Sequence, residues 1–354
     1  MAADIDVTLQ GGRTTHVLFV DTIRELSSRL SDYGQRVLWV FDVNSARLFT
    51  SLPENNVILP SGEKFKSWSS IEKILSAALD AHLGRDSLFI GFGGGVVCDM
   101  TAFAASVFMR GCGLVLVPTT LLCMVDASIG GKSAIDFHGG KNLVGTFYPA
   151  RDVLISPSCL RTLPEGEYMS GLGEVIKHAF LSADHDLYDF LVDNRKDVLA
   201  RDRQALSTML SLSLQVKASY IERDPEERKG IRQALNLGHT FAHALESIED
   251  FRVKHGTAVA WGLSRAMHCG QDAGVTDSAL VEAVDSLLTM YGYDIARRIE
   301  RGRWLDFQSA VAKDKKNISG RVRFVLLEDW GRPVLKDLPA QLVQRNVIAP
   351  ATVR

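Results

Sequence analysis

Leu88-Phe89-Ile90-Gly91-Phe92-Gly93-Gly94-Gly95-Val96-Val97-Cys98-Asp99 decides how the first half of this chain is built. The run Leu88–Ile90 has strand length and no polar residue to mark an exposed face. It breaks into consecutive glycines and resumes as the first turn of a helix. A strand without alternation is covered on both faces, as in parallel sheets flanked by crossover helices. Glycines at such a turn let backbone N–H groups approach a pyrophosphate, and the helix start behind them supplies positive partial charge. A tight turn that holds no ligand fits the same residues, because the spacing is not G-x-G-x-x-G.

The same texture extends on both sides. Val17–Val20, Val37–Phe41, Val57–Leu59, Leu114–Val117 and Val153–Ile155 are further short apolar strands, and a helical pattern from Ile71 to Leu83 stops at Gly84. Alternating strands and helices predict an α/β, Rossmann-like parallel-sheet domain over residues 1–155, with ligands at the carboxyl ends of the strands. Asp42 ends the second of these strands, where a carboxylate can accept hydrogen bonds from a ribose diol. Acids at strand ends also occur without that role. From Ser156 the pattern becomes helical: Gly166–Phe180, Asp184–Val192, Asp202–Ile221, Gln233–Glu249, Thr257–Ala273 and Asp277–Tyr291. Arg321–Leu327 alone alternates as a strand or hairpin. A mainly α-helical domain over residues 156–354 follows, with no internal repeat.

Composition narrows the function. The chain has 354 residues, 46% hydrophobic and 23% charged, enough for a large core and two domains. Its 40 basic and 42 acidic residues leave a formal charge of −2, which favours neither nucleic acid nor a membrane surface. Five cysteines without a C-x-x-C pair read as buried free thiols in a reducing compartment. Residues Met1–Leu9 do not read as a signal peptide, and no apolar run is long enough to span a bilayer, so the cytoplasm is expected. H-E-x-x-H, G-x-S-x-G and Walker A motifs are missing, which disfavours a zinc protease, a serine hydrolase and a P-loop kinase.

The second half carries a different chemistry. In Asn236-Leu237-Gly238-His239-Thr240-Phe241-Ala242-His243-Ala244-Leu245-Glu246 two histidines stand four apart, on one face of a helix. His255 follows in a Lys254-His255-Gly256 turn, and Glu174 lies upstream on Gly173–His178. Histidine and carboxylate from three segments hold a catalytic divalent metal with positions left for substrate. The H-x-x-x-H pair by itself is weak evidence for a metal, and two packed core histidines are the more ordinary reading of it. Gly130-Gly131-Lys132 and Gly140-Lys141-Asn142 suggest loops that present ammonium groups to an anion; the alternative is a surface loop with scattered lysines, which two Gly-Lys pairs nine residues apart disfavour. Lys177, Lys217, Arg232 and Lys315-Lys316 are spread along the chain, each a candidate for one anionic pocket or an ordinary surface charge.

As a set, these motifs resemble the 3-dehydroquinate synthases, a branch of the sugar-phosphate cyclases. The resemblance runs through Gly93-Gly94-Gly95-Val96-Val97-x-Asp99, Met109-Arg110-Gly111, Val117–Leu122, Val125–Lys132 and Gly140-Lys141-Asn142. It continues through Thr162-Leu163-Pro164, Glu174–Lys177, Leu235–His243 and Asp314-Lys315-Lys316, in order from about residue 36 to 330. It implies an enzyme of the shikimate pathway, a carbon–oxygen lyase that turns 3-deoxy-D-arabino-heptulosonate 7-phosphate into 3-dehydroquinate and phosphate. Bound NAD would oxidise the C5 hydroxyl, phosphate would be eliminated, the hydride returned, and an intramolecular aldol closure would finish the ring.

Position by position, the resemblance implies Glu174, His239 and His255 as ligands of Zn2+ or Co2+, with His243 assisting proton transfer. It implies Lys217 and Arg232 as partners of a carboxylate. Lys132, Asn142, Asn236, Lys316 and Arg110 match phosphate and polar contacts, Arg110 coming from the second subunit of a homodimer. Asp126, Lys141, Lys177 and Glu227 match further active-site positions. Asp42, Asn44, Glu63, Lys66, Gly94, Gly95, Asp99, Thr119, Thr120, Lys132, Lys141, Thr162 and Leu163 match the NAD contacts. The chain departs from the family at Cys98, where glycine is usual, at His138-Gly139, and near Pro225, where it is one residue longer. Another cyclase, such as an amino-dehydroquinate synthase, and a metal-dependent polyol dehydrogenase are the rival readings.

Overall fold

A computed structural model of the chain describes residues 3–34, 36–313 and 322–349. The chain forms two compact units. One contains the residues up to Tyr168 together with Arg201–Glu226, and the other contains Met169–Ala200 together with the chain from Glu227 onward.

The first unit is built on a seven-stranded sheet. Its strands are β1 (Ile5–Thr8), β2 (Thr14–Phe19), β3 (Val37–Asp42), β4 (Asn56–Leu59), β5 (Leu88–Gly93) and β6 (Gly113–Pro118); β7 (Lys132–Phe137) and β8 (Gly140–Phe147) form a separate hairpin, and β9 (Asp152–Ile155) returns to the sheet. The order is β1-β2-β9-β6-β5-β3-β4, parallel throughout except for the β1–β2 pair. Every strand expected in this half is present. β1 is an addition that escapes a hydrophobic reading, because in Ile5-Asp6-Val7-Thr8 only Val7 is buried. Helices α1 (Ile23–Ser31), α2 (Trp68–Asp80) and α3 (Gly95–Val107) connect the strands. Leu26 and Leu30 of α1 pack with Phe41, Ile90, Phe92, Val115 and Leu154 in one core cluster. Burial of each of these side chains stabilises the unit by about 2 kcal/mol.

From β3 the chain steps outward to β4, and from β5 it steps the other way to β6. The order therefore reverses between β3 and β5, and a crevice opens there at the carboxyl ends of the strands. Asp42 stands at the end of β3 and Gly93 at the end of β5.

The chain continues through α4 (Glu165–Leu181), α5 (Asp186–Asp193) and α6 (Arg195–Leu199) to α7 (Arg203–Arg223), which packs in the first unit. Asp202 caps α7 by accepting from the N–H groups of Gln204 and Ala205, while Arg203 bonds Asp21 at 2.5 Å and Glu222 accepts from the Thr8 N–H at 3.1 Å. The second unit adds α8 (His239–Ile248), α9 (His255–Asp272), α10 (Ser278–Met290), α11 (Trp304–Lys313), the hairpin β10 (Arg323–Asp329)–β11 (Arg332–Asp337) and α12 (Ala340–Val347). The hairpin confirms the one alternating stretch in this half. Among the described residues, no helix is long and apolar enough to cross a membrane.

Candidate nucleotide and metal sites

In the first unit the crevice edge is made of backbone. Gly94 caps α3 without a side chain, leaving the first-turn N–H groups of the helix with no side-chain partner at the cap. A Cβ on Gly93 would lie 2.7 Å from Val97, closer than a side chain can sit without a shift, and one on Gly94 would lie 3.2 Å from Thr120 Cγ2, a tight contact. The Thr119 N–H donates to the Gly93 carbonyl at 2.9 Å, which sets Thr119 and Thr120 beside the turn. Asp42 Oδ1 accepts from the N–H groups of Asn44 (3.0 Å) and Ser45 (2.7 Å), which fixes the carboxylate at its strand end. Cys98 does not disturb this edge, because its thiol is 1% exposed and directed at the Gly93 carbonyl, 3.7 Å away. These features fit a dinucleotide: a side-chain-free strip for the pyrophosphate and a fixed carboxylate for the ribose.

Behind the edge, Lys66 Nζ lies 2.5 Å from Asp99 Oδ2 and 2.5 Å from Asn142 Oδ1. Lys66 follows the short turn Glu63–Phe65 and is 4% exposed. Burial pushes the Asp99 carboxyl up to about 6, against the opposing pull of Lys66. Asn142 takes a left-handed backbone (φ 52) and donates its N–H to Asp136 at 2.8 Å. Lys132 and Lys141 were expected on loops, but they lie on the β7 and β8 strands, exposed. The left-handed turns fall on Gly130, Gly131 and Gly139 instead, one or two residues earlier. Lys217 of α7 is buried and bonds both the carboxylate and the carbonyl of Asp126. Arg110 is exposed, with φ 64. Thr162 closes the turn Pro157–Thr162, and the Leu163 carbonyl accepts from Arg201 at 2.6 Å.

In the second unit three backbones meet at glycines. A Cβ on Gly173 of α4 would lie 2.0 Å from the Gly256 carbonyl oxygen, and one on Gly256 of α9 would lie 1.6 Å from that of Ser170. A Cβ on Gly262 of α9 would lie 2.3 Å from the Gly238 carbonyl oxygen. Glu174, His239 and His255 are the sequence neighbours of Gly173, Gly238 and Gly256, so these contacts bring the three side chains together. One ligand atom from each lies within 4.8 Å of the others. Glu174 Oε1 is 3.4 Å from His239 Nε2 and 3.4 Å from His255 Nε2. Two ligands about 2.1 Å from a tetrahedral ion stand about 3.4 Å apart, so the spacing fits zinc-like coordination.

The electrostatics of Glu174 and His239 support the same reading. Glu174 is fully buried, and burial alone would raise its carboxyl; Lys177, His239 and His255 outweigh that and hold it well below the usual range. Its Oε1 accepts no hydrogen bond among the described residues. An ionised oxygen buried without a partner costs several kcal/mol unless a cation sits there. Lys177 bonds Glu174 and donates to the Leu235 carbonyl at 2.7 Å. Burial and neighbouring cations push His239 well down, toward a neutral ligand. Burial opposes protonation of His255 too, but the facing carboxylates of Glu174 and Glu246 outweigh it and raise it to about 10.

His243 shares α8 with His239, half-buried, with ring centroids 5.5 Å from His239 and 6.0 Å from His255. Asn236, expected one turn earlier on that helix, lies instead in the separate turn Arg232–Asn236, because Gly238 (φ 78) breaks the backbone between them. His255 opens α9 rather than sitting in a turn. Arg232 is buried, and Glu227 is half-buried with φ 58. Lys315 and Lys316 lie outside the described residues. The sequence reading gave no role to Glu246, whose Oε2 is 3.3 Å from His255 Nδ1. Its signal was available: a glutamate three residues after His243 and seven after His239, on the same helix face as both.

A model of the 3-dehydroquinate synthase N-terminal region matches residues 56–170, and one of the C-terminal region matches residues 171–317. A 3-dehydroquinate synthase of Francisella tularensis subsp. tularensis (strain FSC 198) is 36% identical over 332 residues, covering 89% of this chain and 90% of that protein. A 2-deoxy-scyllo-inosose synthase solved with carbaglucose-6-phosphate, NAD+ and Co2+ superposes with a TM-score of 0.84 at 22% identity, over 97% of this chain and 98% of the other. The 2-epi-5-epi-valiolone synthase of Streptomyces hygroscopicus subsp. jinggangensis, solved with NAD+ and Zn2+, gives 0.83 at 22%, over 98% and 97%. At that identity the two structures speak for the fold.

Proposed function

The chain belongs to the 3-dehydroquinate synthase family, and from that premise we propose that it converts 3-deoxy-D-arabino-heptulosonate 7-phosphate to 3-dehydroquinate and phosphate. The observation that carries this reading is the Glu174–His239–His255 cluster with its unpartnered carboxylate oxygen, inside the stretch matched by the C-terminal family model. In the second unit, Glu174, His239 and His255 would hold Zn2+ or Co2+, which acidifies substrate hydroxyls when bound. His243 is the proton-transfer group, and Lys177 keeps Glu174 ionised. Arg232 and Asn236 are assigned to the substrate's anionic groups.

In the first unit, the glycine strip, Asp42, Thr119, Thr120 and the Lys66–Asp99 pair would hold NAD, which supplies reversible hydride transfer. Lys217, Lys132 and Lys141 are assigned to anionic substrate groups. Arg110 is assigned to the active site of a second copy, so a homodimer is expected by analytical ultracentrifugation.

Purified chain supplied with NAD and Zn2+ or Co2+ should release phosphate from the heptulosonate phosphate, and exhaustive chelation should stop it. A structural likeness to cyclases of other sugar phosphates makes sedoheptulose 7-phosphate the necessary control. Turnover of that substrate alone would replace the proposal with a sister activity. Net accumulation of NADH with a simple polyol would replace it with a dehydrogenase.

A further inference from the structure

Glu246 is 5% exposed, on α8 and two turns beyond His239. Its Oε2 is 3.3 Å from His255 Nδ1, while His255 Nε2 faces Glu174 Oε1 at 3.4 Å. The two nitrogens of one imidazole are thus divided between two carboxylates. Donation of Nδ1–H to Glu246 fixes the tautomer and leaves the Nε2 lone pair directed at the point shared with Glu174 and His239. His239 is set by a weaker device: its Nδ1 lies 3.2 Å from the Leu237 carbonyl oxygen, a neutral acceptor. The backbone reverses through left-handed residues Asp250 and Phe251, and the Phe251 N–H donates to the Glu246 carbonyl at 2.8 Å, so the turn leading to His255 is anchored on Glu246 itself.

Charge points the same way. The Lys177 ammonium offsets the Glu174 carboxylate, with which it is paired. Glu246 places a second carboxylate against His255, and negative charge beside the cluster favours a dication at that point.

We propose that Glu246 is a positioning residue for the metal: it orients His255 through Nδ1 and strengthens that imidazole as a ligand, without itself touching the ion. The proposal rests on the metal reading given above. It sets Glu246 apart from the alternative grouping of His243, Glu246 and His255, in which Glu246 would be a ligand. A direct ligand role would place the ion at His255 Nδ1, the nitrogen facing Glu246 and not Glu174.

The test is Co2+ binding by the full chain, read by chelator competition and by the visible absorption of the bound ion. Wild type should bind Co2+ with a tetrahedral spectrum. Glu246→Ala should weaken binding about 10- to 100-fold and perturb the spectrum. Glu246→Gln keeps an acceptor but no charge, so it should lose less, since a charge-assisted hydrogen bond is about twice as strong as a neutral one. The glutamine variant carries the test if the alanine variant does not fold, as judged by circular dichroism. Wild-type affinity and spectrum in the variants would overturn the proposal. Complete loss of Co2+ in Glu246→Gln with retention in Glu174→Gln would overturn it in favour of direct ligation. A wild type that binds no Co2+ would overturn the metal reading itself, and the proposal with it.

Discussion

Each unit buries a lysine against a carboxylate, Lys66 on Asp99 in one and Lys177 on Glu174 in the other, and the two pairs behave in opposite ways. Asp99 is pushed up by burial, Lys66 offsets only part of that, and Glu63 and Asp126 push in the same direction as burial. Lys66 is also shared with Asn142. Glu174 is more deeply buried, yet it is held down because Lys177, His239 and His255 all favour its charge. The difference lies in the surroundings of the pair rather than in the pair itself. A carboxylate beside one shared ammonium sits near the balance point between its forms. One beside an ammonium and two imidazoles is kept ionised, with an oxygen left over for a cation. The first arrangement suits a wall behind a bound nucleotide, and the second suits a metal ligand.

The hardest blow to this contrast is Glu174→Gln. It removes the charge while keeping the shape, so the chain should lose stoichiometric metal. Phosphate release should fall about a thousandfold or more, because metal activation supplies several kcal/mol. NAD affinity should stay within about twofold of wild type. Metal retained in that variant would mean that Glu174 is an ordinary buried ion pair like Asp99.

Gly256→Ala attacks the same site through the backbone. The new Cβ would lie 1.6 Å from the Ser170 carbonyl oxygen, so α4 and α9 must move apart. Overpacking of this kind costs about 3 kcal/mol. A melting temperature several degrees lower is expected, together with weaker metal binding as His255 shifts. Wild-type melting and metal affinity would remove the glycine contacts as the cause of convergence.

This geometry also marks how far the sequence could be read. The sheet was legible because its strands are unbroken apolar runs, and the helices because their periodicity is long. The metal ligands were recognised through family motifs, although a physical cue stood beside them: Gly173, Gly238 and Gly256 each adjoin a ligand. Glycine adjacency acquires meaning only when the partner backbone is known, and that is a contact between segments far apart in sequence. The β7–β8 hairpin was read as loops for a related reason. β8 is largely exposed and so lacks the apolar pattern by which a strand is seen, and β7 buries only Ser133 and Ile135. Glu246 was passed over because a lone glutamate on a helix is ordinary until its burial is known.

Asp99→Asn tests the sheet side and should be milder. Lys66 would keep Asn142 and lose its counter-charge, so NAD should bind about tenfold more weakly, at the scale of a charged hydrogen bond. Metal affinity should not change. The smallest effect is the dependence of stability on pH, and its sign separates the two pairs. The folded Asp99 carboxyl titrates near 6, against an ordinary 3.8, so the folded chain takes up its proton first. That contribution is fully present below about pH 3.8 and is lost as the pH rises through about 6. Glu174 lies well below its ordinary 4.5, so its contribution is present above that value and is lost as the pH falls. In metal-free protein, urea unfolding from about pH 4 to about 6.5 should therefore show a downward slope with pH that Asp99→Asn removes. Below about pH 4.5, wild type should lose stability relative to Glu174→Gln. Slopes of the same sign in both comparisons would mean that the two carboxylates are not held in opposite states.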